Sequence, residues 1–187
     1  MLGYTAVAQV GYIILGLASG TAVGLAGGLF HMLNHAIYKS GLFLCAGTVE
    51  RAAGSSDLDR LGGLARLMPI TFGACLVTAL AGAGIPPLNG FVSKWMVYRA
   101  LLTEGMPLLF VGAVIGTLGT ILSVYKLIHN IFLWQLRIEH EGVREAPLSM
   151  LIPMLGLSAI IFLSGFIPGP ALAWASEIGR ASGRERV

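Results

Sequence analysis

His31, His35 and Lys39 follow one another at intervals of four residues inside one of the most apolar stretches of the chain. At that spacing side chains share one face of a helix, each step lagging by roughly 40°. The three ionisable groups make a ladder about 12 Å long, at roughly 1.5 Å rise per residue. Ionisable groups cost about 2.5–3.5 kcal/mol each in hydrocarbon on insertion scales, so three in register are most simply read as moving charge. A lysine taken out of water gives up its proton more readily than one at a surface. A neutral imidazole accepts at one nitrogen while donating from the other, which suits a relay. Haem ligation is the weaker reading, because two histidines on one helix face cannot reach an iron from opposite sides.

A second constellation lies in GIPPLNGFVSKW, from Gly84 to Trp95. Pro86 and Pro87 lack backbone donors and free the carbonyls near Gly82 and Ala83. Gly84 and Gly90 flank the break, and an interrupted membrane helix is a feature that marks ion paths. Lys94 falls about two turns beyond the prolines. Asn89 and Ser93 are placed to bond the freed backbone or hold water. Simpler readings stay open for both lysines. Lys39 lies eleven positions before Glu50, roughly 16 Å along a helix and beyond the reach of one snorkelling side chain. Polar packing between helices is the alternative for the ladder, and a structural kink with an interfacial lysine for Lys94. Arg99, Lys126 and His129 read as interfacial. No carboxylate lies well inside an apolar segment, since Glu50 and Glu104 sit at segment ends. A buried lysine ordinarily requires a partner to bias its charge.

The elements that must hold these groups are helices in a membrane. Hydrophobic residues make up 56% of the 187 and charged ones 11%, with mean hydropathy +0.81; a soluble domain averages about 25% charged. Six apolar segments can be drawn: Leu2 to Ala18, Thr21 to Val49, Pro69 to Gly84, Ile85 to Leu102, Pro107 to Tyr125 and Pro147 to Ile167. Most are near the ~20 residues a bilayer requires. Nothing alternates at strand length, so the expected fold is an all-α polytopic transmembrane bundle of about six spans with one discontinuous helix. Counted as six spans, Arg51, Arg60, Arg66 and Arg99 face Lys126, Arg137 and Arg144 across the bilayer, close to a tie under the positive-inside rule. Cys45 and Cys75 read as packing residues, without metal or cluster spacing. No cleavable signal peptide is expected. The net charge is +3, of which the stretch from Glu177 onward supplies only +1, and no nucleic-acid partner is inferred.

FHMLNHAIYKSGLFLCAGTV resembles the motif FHxxxHAxxKxxLFLxxGxV of the antiporter-like subunits of respiratory complex I. AGIPPLNGFVSKW resembles their broken-helix motif GxPPxxGFxSK, YTAVAQVGYIILG the preceding helix, and LDRLGGLARLMP the loop between. The same module occurs in Mrp-type cation/proton antiporters and membrane-bound energy-converting hydrogenases. The resemblance implies that His31, His35 and Lys39 belong to a central hydrophilic axis and that Lys94 is the terminal lysine, with Pro86, Pro87, Asn89 and Ser93 supporting the broken helix. It implies the second of two inverted five-helix repeats plus one helix, with the 51–68 loop on the outer side. The first repeat would carry an acidic residue and another lysine.

The expected organisation is an antiporter-like transmembrane module over residues 1–170, read as truncated, and a tail over 171–187. Its stretch EIGRASGRERV, from Glu177, resembles a translated sequencing adapter and is read as non-native. The expected function is proton translocation through the His/Lys axis, as a membrane subunit of an NADH-quinone oxidoreductase or energy-converting hydrogenase. A Mrp-type Na+/H+ antiporter subunit is the alternative, and a non-conducting structural subunit the second. No flavin, nucleotide or iron–sulfur motif is present, so no cofactor, metal or catalytic site of its own is expected. The expected partners are other membrane subunits, the lipid bilayer and protons, with Na+ as the alternative ion, in a prokaryotic cytoplasmic membrane.

Overall fold

A computed structural model describes residues 1–140, 142–170, 172, 173 and 177. The tail expected to be non-native lies, apart from Glu177, outside the described residues. Six helices carry the fold: α1 Leu2–Ala18, α2 Ala22–Ala53, α3 Pro69–Ala83, α4 Asn89–Thr103, α5 Pro107–Ile128 and α6 Leu148–Phe166. A π-helical turn, His129–Leu133, prolongs α5. Short 3-10 turns, Leu64–Arg66 and Ile138–His140, lie in the loops. No strand occurs among the described residues.

Proline opens α3 and α5, where its missing N–H would have had no helical partner. The Thr21 hydroxyl starts α2 by accepting the Gly24 amide at 2.9 Å. Pro107–Leu133 and Leu148–Phe166 are long and apolar enough to cross a bilayer, whereas α1 and α3 are apolar but shorter.

The bundle is organised along α2, whose 32 residues reach roughly 48 Å. Gly27 packs on Met96 and Val97, His31 on Ser93, Asn34 on Asn89, Tyr38 on Gly82, Gly41 on Thr78 and Cys45 on Cys75. As numbers climb along α2, partner numbers fall through α4 and then α3, continuing past the break. The two helices therefore lie end to end in one lane of the bundle. Their ends overlap where Gly90 meets the Ala81 carbonyl, at a position with no room for a Cβ. Helix α5 returns along the same lane: Phe110 stacks edge-on with Tyr98 at 5.7 Å, and Phe132 lies 5.2 Å from Phe72. Helix α6 meets α2 through Met154 and Cys45, 3.4 Å apart, and reaches the break at Ser164.

This stacking differs from the sequence expectation of separate third and fourth spans. Apolar length cannot distinguish two crossings from two halves of one lane; the order of partners along α2 can. The change moves Arg99, with Glu104, to the end of the bundle opposite the 54–68 loop. Arg51, Arg60, Arg66, Lys126, Arg137 and Arg144 then gather at the loop's own end. There the loop interlocks with the connection after α5: the Arg137 guanidinium donates to the Asp59 carbonyl, and His140 Nε2 lies 3.0 Å from the Arg60 carbonyl. The near tie in charge disappears. Beneath this end sits an apolar core including Leu42, Cys45, Ala79, Leu127, Phe132 and Met154. Midway along the bundle the interior turns polar.

Candidate functional site

The break between α3 and α4 frees carbonyls, and Lys94 takes them. Gly84 ends α3 in the left-handed region, at φ 82°, where glycine carries no steric penalty. The Gly84 and Ile85 amides fold back on Ala81 and Leu80 at 3.0 and 3.1 Å, a Schellman closure. This leaves Gly82 and Ala83, whose carbonyls accept from Lys94 Nζ at 3.0 and 3.3 Å. The side chain is 2% exposed. The ammonium also sits 4.8 Å above the Tyr12 ring. Among the described residues no ion pair touches Lys94 or Lys39. A helix C-terminus, which carries the negative end of the dipole, and an aromatic face stand where a carboxylate would be expected.

His31 is fully buried. Its ring lies 5.5 Å from the Tyr12 ring, on the way from Lys94. Nδ1 is 2.9 Å from the Ser93 hydroxyl and Nε2 is 3.2 Å from Gln9 Oε1. Gln9 is the hub of this network. Its amide nitrogen donates to Thr120 at 3.0 Å, and its Oε1 also accepts from the Tyr38 hydroxyl at 3.2 Å. With the amide nitrogen committed to Thr120, the network assigns the His31 proton to Nε2 and leaves Nδ1 to accept from Ser93.

From Gln9 the path continues into a partly open cavity of about 20 Å³, with Thr5, Gln9, Tyr38, Lys39, Thr120 and Ser123 as its polar lining and Leu2, Leu42, Val124 and Leu127 among its apolar walls. That volume is room for roughly one water. Lys39 closes the far side, donating to the Leu2 carbonyl at 2.9 Å and to the Thr5 hydroxyl. A buried polar route thus runs from Lys94 past Tyr12 to His31 and Gln9, and through the cavity to Lys39.

His35 does not join this route. The stripe of α2 facing α3 and α4 runs through His31, Asn34, Tyr38, Gly41 and Cys45, so the 40° lag turns His35 aside. It is half-buried, stacks edge-on against Tyr38 at 5.5 Å, and its Nε2 has no hydrogen-bond partner among the described residues. Asn89 and Ser93 leave the freed carbonyls to Lys94. Asn89 exchanges hydrogen bonds with Asn34 at 3.0 and 3.1 Å and donates to Ser164 at 3.2 Å. Pro86 and Pro87 are exposed and act through the backbone alone. Gln9, Tyr12, Asn34, Tyr38 and Thr120 were not singled out as site residues from the sequence. Gln9 and Asn34 carried a signal, an amide inside an apolar helix; the aromatic and threonine residues carried none.

Comparison with known proteins identifies the family of the chain. Residues 1–123 match the family model described as NADH:quinone oxidoreductase/Mrp antiporter, TM. The chain is 39% identical over 177 aligned positions to an NADH-quinone oxidoreductase subunit of Desulforudis audaxviator, covering 88% of this chain and 35% of that protein. It is 31% identical to a Na(+)/H(+) antiporter subunit of Alkalihalophilus pseudofirmus, covering 95% and 36%. The fold superposes on a chain of the Mrp complex from a Dietzia species with TM-score 0.89 at 28% identity, covering 95% of this chain and 41% of that one. The chain thus spans about a third of the length of these curated relatives. By family model, relatives and fold together, the chain belongs to the NADH:quinone oxidoreductase/Mrp antiporter transmembrane family and is an integral membrane protein.

Proposed function

We propose that this chain is the conducting part of a proton-translocating membrane subunit in a respiratory NADH-quinone oxidoreductase or hydrogenase-type complex. The observation that carries the reading is the buried polar route between Lys94 and Lys39. Each lysine holds or releases one proton. His31 passes it between Nδ1 and Nε2, Gln9 holds the imidazole in register, and a water in the cavity bridges to Lys39. His35, half-buried against Tyr38 with its Nε2 buried and without a hydrogen-bond partner among the described residues, stands beside the route rather than in it. Redox chemistry belongs to other subunits.

A Mrp-type antiporter subunit is the second reading, favoured by the close superposition on the Mrp complex chain. In vesicles containing the full-length subunit with its complex, Lys94→Ala and Lys39→Ala are each expected to abolish proton movement driven by an electron donor. Undiminished pumping in both variants would sink the relay. Sodium-dependent proton exchange with no electron donor would transfer the assignment to the antiporter.

A further inference from the structure

Helix α3 carries no charged residue of its own, yet a charged side chain from another element holds each end. At the N-terminus Met68 supplies no side-chain cap and Pro69 has no N–H to offer. The Phe72 amide already reaches the Met68 carbonyl at 2.9 Å. The remaining donors, Ile70 and Thr71, both turn to Glu145, in the loop before α6. Glu145 Oε2 accepts the Ile70 amide at 2.7 Å and the Thr71 amide at 3.3 Å. Its Oε1 accepts the Thr71 hydroxyl at 2.6 Å and the Ala146 amide at 3.0 Å. At the other end the Gly82 and Ala83 carbonyls receive Lys94. A carboxylate at the positive end of the helix and an ammonium at the negative end both complement its dipole. Burial pushes the Glu145 carboxyl up, but the hydrogen bonds from the Thr71 side chain and the Ala146, Ile70 and Thr71 amides outweigh it and hold the group below its ordinary range.

We propose that Glu145 is a positioning residue for Lys94: by fixing the N-terminus of α3 it sets where the carbonyls that receive the ammonium stand, one helix length away. The span is 15 residues, roughly 22 Å, and a helix of that length transmits an axial shift as a rigid body. The loop that carries Glu145 lies at the basic end of the bundle, so a change there reaches the buried lysine through α3. The proposal rests on Lys94 belonging to the relay, but its structural test does not.

Hydrogen exchange of the full chain reconstituted in lipid reads both ends of α3 separately. Glu145→Ala is expected to speed exchange at Ile70 to Phe72 and also at Gly84 and Ile85, by roughly five- to tenfold at each end for the loss of a cap. Glu145→Gln keeps an acceptor oxygen and is expected to restore protection at Gly84 and Ile85. If Glu145→Ala loosens only Ile70 to Phe72, Glu145 is a local cap and the proposal fails, while the relay reading stands. If Lys94→Ala leaves pumping intact but Glu145→Ala loosens both ends, the relay fails and the mechanical link stands.

Discussion

Gln9 does at the residue scale what the two lysines alone cannot. It joins α1, α2 and α5 through Thr120, Tyr38 and His31, and selects which nitrogen of His31 carries the proton. Replacing it with leucine keeps the volume but strands the His31 and Tyr38 donors in a buried site. Each stranded group costs about 1–3 kcal/mol. Gln9→Leu is therefore expected to lower thermal stability in detergent and to cut pumping strongly, whereas Leu122→Ala, at an exposed position of α5 away from the cavity, leaves both nearly unchanged. A stable Gln9→Leu protein that pumps normally would remove Gln9 from the path. Lys39, Lys94 and His31 were legible in the sequence as buried groups because an ionisable residue in an apolar run is conspicuous, whereas the same spacing argument wrongly put His35 in line with them. Their partners were not, because Gln9 and Thr120 stand 111 positions apart and only the folded lane order brings them together.

At the scale of elements, the helix starts were legible from Pro69 and Pro107, and the break from Pro86 and Pro87. The carbonyls these prolines were expected to free, near Gly82 and Ala83, are the ones to which Lys94 donates. What single-segment reading could not reach is that α3 and α4 share a lane. That fact depends on the close approach at Gly90, where an added Cβ would overlap the Ala81 carbonyl. Gly90→Ala must push the two half-helices apart, at about 1–3 kcal/mol for overpacking. Gly47, also helical, has nothing within 4 Å of its Cβ position. Gly47→Ala is expected to gain roughly 0.5–1 kcal/mol from reduced chain entropy. Opposite shifts in melting temperature for the two substitutions would bear out the shared lane; equal shifts would contradict a tight overlap at Gly90.

On the scale of the whole molecule, sharing a lane decides which way the bundle faces. With α3 and α4 as separate crossings, Arg99 sits beside Arg51, Arg60 and Arg66, and the charges nearly balance. With the two halves stacked, six basic residues, from Arg51 to Arg144, collect at the end of the 54–68 loop, and Arg99 is left at the other with Glu104. Lysine and arginine near short loops are retained on the cytoplasmic side. The basic end is therefore expected to face the cytoplasm, opposite to the outer placement of the 51–68 loop that the family resemblance implied. Ser56 and Glu104 are exposed and stand at opposite ends, while the native Cys45 and Cys75 are buried. In intact cells a membrane-impermeant maleimide is expected to label Glu104→Cys directly, and Ser56→Cys only after the membrane is permeabilised. The reverse pattern would overturn the orientation, and labelling of both from outside would mean that α3 and α4 cross the bilayer separately. The same orientation would put Glu145 and its hold on the N-terminus of α3 at the cytoplasmic face.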